Sequence, residues 1–384
     1  MKKPNRLMLF MAGGALFGLA VLALVFSAHP GYAQQDTLTP PMPMPTPPPT
    51  VPALPPQPDQ VLSGVVPGLP QGMMLVEGDI LIKTSDFTRR YNIPGSNAPQ
   101  GTYEVNTWTN GLVPYEFDAN VTAVNRTAMQ DAMEWWEDVA AVSFAQCTNN
   151  VCSGDFVHIQ SGAGNNSAIG RAGGRQIINI ISWGNTAIMA HELGHTLGLE
   201  HEQNRPNRNS FVTINTNNIC KATDPSCTGG FCFDNATPPG RIDCDFNFNL
   251  ISTASTYGPY DFDSVMHYNR TAFSRNGSDT ITVLPPNNTA WQDAIGQRTH
   301  LSAGDKNVVG CMYARANWRW VSTTANPGTP FGTCTQPYTL MSVGLTNTPE
   351  QGTLWIEPGT YWEIGSFTRP MTLKAPNGTV TIGN

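Results

Sequence analysis

The run His191-Glu192-Leu193-Gly194-His195-Thr196-Leu197-Gly198-Leu199-Glu200-His201 holds three of the chain's seven histidines. His191 and His195 stand four apart, so on a helix they share one face and can point at a single Zn²⁺. Gly198 lacks a Cβ and suits a left-handed helix stop, after which the chain can turn back and present His201 as a third ligand. Three protein ligands leave one tetrahedral position open, the arrangement of a catalytic zinc. Glu192 sits beside the first ligand without being one. It can take a proton from a water that the metal has acidified to around pH 7, then hand it to the leaving amine of a cut peptide. A purely structural zinc would want a fourth protein ligand and has no use for that carboxylate.

The elements that must position these groups are legible on both sides. Asn185 can cap the helix of the motif, whose core stripe is Ile188, Leu193 and Leu197. Ahead of it the globular pattern starts near Trp108. Val113, Tyr115 and Phe117 alternate as a strand does, and Ala128, Ala132, Trp135, Trp136 and Val139 repeat at helical spacing. Two further strands are expected at Phe156–Gln160 and Gln176–Ser182. Gly170, Gly173 and Gly174 before the second suggest backbone kept low beside a bound peptide.

Composition places the chain outside the reducing cytoplasm. Of 384 residues only 13% are charged, and removing Lys2, Lys3 and Arg6 of the leader takes the net charge from −7 to −10. That balance argues against a nucleic-acid surface. Eight cysteines in an acidic chain read as exported. Residues 1–33 have the form of a signal peptide: a basic end, an apolar run from Leu7 to Phe26, and Gly31-Tyr32-Ala33 before the cut. That run is long enough to leave an uncleaved anchor open. Residues 34–60 form a proline-rich linker that cannot pack a core. Residues 61–97 are a candidate propeptide, within which Asp79, beside the flexible Gly78, could reach an open zinc position and displace its water.

Downstream lies Ser264-Val265-Met266-His267-Tyr268. This run and the stretch from His191 to Pro206 together resemble the astacin-family metalloendopeptidases, which are metzincins. Gly170-Arg171, Gly174, Gln176, Leu301-Ser302 and Asp305 support the likeness. The resemblance implies an α+β fold: a two-lobed zinc protease domain with a twisted mixed sheet and helices over an active-site cleft. It implies that Met266 lies beneath the zinc and that Tyr268 is an additional metal ligand able to swing away and stabilise the oxyanion. Glu202 would meet the buried amino terminus of the matured enzyme. Val76-Glu77-Gly78-Asp79 is similar to the family's inhibitory propeptide element, with Val where an aromatic residue is usual, which strengthens Asp79 as a ligand in the zymogen. His267 is expected to be structural, and His158 and His300 are not expected to be ligands.

Leu199 and Asn207-Arg208-Asn209 depart from the family pattern, and the cysteines are not where the family's two disulfides sit. Four bridges are expected here, with Cys147–Cys152 and Cys311–Cys334 the preferred pairs. Cys220, Cys227, Cys232 and Cys244 lie in an apparent insertion with three connectivities open; the insertion is expected near the cleft, where it could shape substrate choice. Residues 98–316 are then the peptidase domain and 317–384 a small C-terminal β-rich extension, whose short strands between Gly and Pro resemble a rung or two of a parallel β-helix. The sequence reads as a secreted or periplasmic zinc endopeptidase made as a zymogen, carrying one Zn²⁺. It would act as a monomer on protein or peptide substrates, lying along an edge strand near Gly170–Gln176, with no nucleic-acid partner and no membrane once the signal is cut. The competing reading is an exported binding or adhesion protein with a structural zinc site.

Overall fold

The computed structural model describes residues 62–63, 72–86, 106–225, 227, 231–233, 241–251, 254–324, 331–363 and 366–383. The expected signal peptide and the proline-rich linker lie outside these residues, as does much of the candidate propeptide. Among the described residues, the chain from Gly310 onward, with 138–141, forms one compact unit and the remainder forms another. No helix of the described residues is long and apolar enough to cross a membrane.

The larger unit contains strands β1 (Leu62–Ser63), β2 (Met73–Val76), β3 (Ile80–Lys83), β4 (Leu112–Phe117), β5 (Ser143–Gln146), β6 (Phe156–Ser161), β7 (Asn166–Ala168), β8 (Arg175–Ile180), β9 (Val212–Ile214), β10 (Phe231–Phe233), β11 (Arg241–Ile242) and β12 (Ile281–Val283). Its two long helices are α1 (Ala123–Val139) and α2 (Thr186–Leu197). Seven strands form one mixed sheet in the order β2-β3-β7-β8-β6-β4-β5. β4 is parallel to both β5 and β6, and β6 is parallel to β8. Parallel neighbours need a crossover, and α1 supplies it between β4 and β5.

Helix α1 buries Met129, Ala132, Met133, Trp136 and Val139, a stripe at i, i+3, i+4, i+7 and i+10. The sequence pattern put Ala128 and Trp135 in that stripe. The helical pitch instead turns Met129 and Met133 inward and leaves Ala128 and Trp135 half-buried. Trp136 donates its indole N–H to the Ala190 carbonyl at 2.9 Å, tying α1 to α2.

The edge strand is not where the sequence suggested. β8 lies between β7 and β6, inside the sheet. Residues 170–174 precede it as a loop, with positive φ at Gly170, Gly173 and Gly174. The Gln176 side chain closes this loop, donating to the Gly170 carbonyl at 2.8 Å and accepting from the Ala172 amide at 3.0 Å. The strand beyond β8 is β7, and it is covered by β3, which pairs with it in parallel, Ile80 opposite Ser167 and Leu81 opposite Ala168.

A second cluster lies around the β9–β12 ribbon and gathers Val212, Ile219, Phe248, Tyr260, Phe262, Phe273 and Trp291. The two disulfides of the insertion, Cys220–Cys227 and Cys232–Cys244, resolve the three connectivities left open, and Cys147–Cys152 forms as expected from its spacing.

In the smaller unit, β13 (Trp318–Val321), β14 (Gly352–Ile356) and β16 (Met371–Lys374) stack in parallel, and β15 (Gly359–Tyr361) pairs in parallel with β17 (Val380–Ile382). This is the β-helix-like pattern expected, repeated over enough rungs to bury Val321, Leu354, Ile356, Tyr361 and Val380 beneath Met341. Cys311–Cys334 closes the start of the unit.

Candidate metal centre

Helix α2 begins where Asn185 accepts from the amides of Ala187 and Ile188, and ends at Gly198 with φ 109°. The left-handed stop, with Leu199 N donating to the Gly194 carbonyl at 2.9 Å, reverses the chain and returns His201 toward the helix. His191, His195, His201 and Asp79 thereby offer ligand atoms that all lie within 4.8 Å of one another, all four residues buried.

The outer nitrogen of each imidazole fixes what the inner one can do. His191 Nδ1 donates to the Val265 carbonyl at 2.7 Å, His195 Nδ1 to the Leu199 carbonyl at 2.8 Å, and His201 Nδ1 to Glu77 Oε2 at 2.8 Å. A carbonyl can only accept, so on His191 and His195 the proton of the neutral ring sits on Nδ1. The Nε2 lone pairs then face the common centre, the second-shell arrangement of metal-bound histidines. Asp79 faces the same centre, its carboxylate 3.1 Å from His191 Nε2, 3.1 Å from His201 Nε2 and 3.6 Å from His195 Nε2.

This donor set fits a divalent cation. Asp79 Oδ1 and His195 Nε2 are buried and make no hydrogen bond. They confront each other as two acceptors, a costly arrangement unless positive charge lies between them. Burial opposes protonation of His201, but the Asp79 carboxylate, with Glu77 behind it, overcomes that and raises the imidazole to about 9. Burial likewise opposes charge on Asp79, yet His201 and the contacts to all three rings hold its carboxyl well below the usual range. The pocket thus favours a cation at its centre. Three imidazole nitrogens and one carboxylate oxygen form a zinc-type ligand set.

Around the centre, Asp305 secures the turn that holds His191. It accepts from the Ser264 hydroxyl at 2.6 Å and the Val265 amide at 2.8 Å, and so fixes the Val265 carbonyl against the imidazole. Met266 is buried against α2: a Cβ built on Gly194 would fall 2.8 Å from Met266 Sδ and 3.4 Å from Trp136 Cζ2. Gly194→Ala should therefore overpack this contact and cost roughly 1–3 kcal/mol. Thermal unfolding should show the midpoint falling by roughly 2–10 °C.

Glu192 is buried on α2, one residue after the first ligand. Tyr268 stands beside the cluster: its ring lies 4.6 Å from that of His201, and its hydroxyl donates to the Glu77 carbonyl. Glu202 accepts from Arg205 and from the Asp261 amide, both at 2.8 Å, and burial pushes its carboxyl up to about 7 although Arg205 pulls it back. His267 is bound to the Tyr260 hydroxyl, His158 lies between Glu116 and Asp118, and His300 faces Asp263. Sequence reasoning missed Glu77, the acceptor for His201. Its only signal is its place beside Gly78-Asp79.

The family model Astacin (Peptidase family M12A) matches residues 100–227 and 241–314, more than half of the chain. The chain belongs to the astacin family. Astacins are zinc peptidases, and His191, His195, His201 and Asp79 form a candidate metal site in this chain. Among the relatives, the chain is 33% identical over 210 residues to high choriolytic enzyme 1 of Oryzias latipes, covering 53% of this chain and 67% of that one. It is 32% identical over 264 residues to zinc metalloproteinase nas-14 of Caenorhabditis elegans, covering 63% and 48%. It is 34% identical over 214 residues to the bone morphogenetic protein 1 homolog of Strongylocentrotus purpuratus, covering 54% and 30%. The chain thus spans less than half the length of the last two. A solved structure of the Oryzias latipes enzyme superposes with a TM-score of 0.43 at 29% identity, covering 57% of this chain and 97% of that one.

Proposed function

We propose that this chain is a secreted zinc endopeptidase, made as a zymogen, that cleaves internal bonds of protein or peptide substrates. One observation carries the reading. Three imidazoles commit their outer nitrogens to acceptors, so their inner nitrogens converge on one buried point, and the buried Glu192 follows the first of them in sequence. Bound zinc would supply Lewis acidity and bring a water's pKa to around 7. Glu192 would take the proton that this water loses and return it to the leaving amine. Tyr268, released from the Glu77 carbonyl, would have its phenol free to take a place on the metal or to donate to the developing oxyanion. The four disulfides suit an oxidising compartment outside the cytoplasm.

Latency follows from the hairpin β2–β3. Val76 pairs with Ile80, so Glu77, Gly78 and Asp79 form the tip that reaches the histidines. Loss of the segment would remove Asp79 from the centre, Glu77 from His201 and the acceptor from Tyr268. Glu202 is the group we propose to receive the new amino terminus.

The fourth donor is also what a structural zinc in a binding protein would have. Two facts favour the enzyme: Asp79 comes from a hairpin ahead of the residues that match the family, and Glu192 is no member of the donor set. After the amino-terminal segment is removed by limited proteolysis, casein cleavage should disappear with a chelator and return with added zinc. Cleavage indifferent to chelation would end the zinc-peptidase reading, and no cleavage by the processed, zinc-loaded chain would favour the structural-zinc alternative. Amino-terminal sequencing of the product would locate the processing site.

A further inference from the structure

The family model leaves out two parts of the described chain that meet each other. It begins at residue 100 and it skips residues 228–240. β1, β2 and β3 lie in the first omitted part, and β10 lies in the second. Yet β1 adds in parallel to β10, Leu62 opposite Phe231 and Ser63 opposite Cys232, while β10 is backed by β11. Two segments outside the family match thus pair with each other in one small sheet, whose third strand, β11, lies within the match.

The contact continues to the hairpin tip. Glu77 has φ 54°, a left-handed conformation that residues with a Cβ rarely adopt, and its amide needs an acceptor there. Asn247 provides it, accepting from Glu77 N at 2.7 Å while donating to Cys232 Sγ at 3.2 Å. Asn247 is fully buried and follows Cys244, the partner of Cys232. Beneath the hairpin, Met74, Val76, Ile80 and Ile82 present one face and pack with Ile251 and Phe246 from the same stretch. The Asn204 side chain donates to the carbonyls of Asn247 and Asn249, so this seat is anchored to the turn that follows His201.

We infer that the cysteine-stapled insertion, through β10, and the stretch 246–251 that follows it form a receptor for this chain's own strands β1, β2 and β3, holding the hairpin so that Asp79 stays at the histidines. The inference rests on the zymogen reading above and names what enforces it. Asp79 provides the contact at the centre; β10, Asn247 and the apolar seat keep the hairpin in register.

The test uses the full-length chain as Asn247→Ala and as the pair Leu62→Pro with Ser63→Pro. The second variant removes ladder donors and touches only the segment. Deuterium uptake is followed at residues 73–83, with β4, β6 and β8 as the folding reference, and casein cleavage is assayed before any processing. Exchange across 73–83 should quicken roughly tenfold in each variant, with the reference unchanged and basal cleavage raised. Unchanged exchange in the proline pair overturns the inference, as does unchanged exchange in folded Asn247→Ala. If Asn247→Ala disturbs the reference strands, the proline pair decides alone. Asp79→Ala separates the two ideas. Activity released there, with 73–83 exchange indifferent to the other variants, keeps latency and removes the receptor. Faster exchange with no activity gained in any variant, Asp79→Ala included, keeps the receptor and removes latency.

Discussion

In the processed enzyme, Glu192→Gln should lower kcat on casein by roughly a hundredfold to ten-thousandfold while one zinc per chain is retained. The substitution keeps the shape of a buried side chain and removes its capacity to hold a proton as a carboxylate does. None of the bonds that orient the imidazoles involves Glu192: they end on Val265 and Leu199 and, until the segment is cut, on Glu77. Metal content and KM should therefore hold while kcat falls, the pattern of an interaction made in the transition state. Undiminished cleavage, or zinc lost in proportion to activity, would remove Glu192 from the role of general base.

The features that could be read from the chain are those set by neighbours in sequence. Asn185, His191, His195 and Gly198 belong to one helix and its two caps, so spacing and side-chain type suffice to place them. Cys147 and Cys152 close a five-residue separation. What could not be read was set by contacts across the fold. Glu77 meets His201 over a separation of 124 residues, and Asn247 meets Glu77 over 170. No local pattern marks either contact. The position of the edge strand failed for a different reason. The positive φ values of the glycines at 170, 173 and 174 make a loop that Gln176 ties shut; β8 is an inner strand, and β7 beside it is covered in turn by β3, with β2 outermost. The stripe of α1 shifted by one residue for Met129 and Met133 because a run with Ala, Met and Trp at adjacent positions offers two apolar phases, and packing chooses between them.

Asp79→Ala in the unprocessed chain should raise casein cleavage from near background by roughly ten- to a hundredfold, with zinc still bound by the three histidines. The carboxylate is buried, and its contacts to the three rings hold it ionised. Hydrogen bonds to a charged group contribute about 1.5–3 kcal/mol net, which converts to that range in the population of released hairpin. The effect is bounded because the other contacts remain: Met74, Val76, Ile80 and Ile82 still face Ile251, and β3 still lines β7. Asp79→Asn keeps the size and one acceptor oxygen but loses the charge, so it should fall between the parent and Asp79→Ala. Mass spectrometry must show the assayed chain uncut, since trace processing would mimic release. Suppose unprocessed Asp79→Ala is as silent as the parent while the cut parent is active. The bulk of the hairpin over β7 would then be what blocks the site, and the carboxylate would be only a passenger on it.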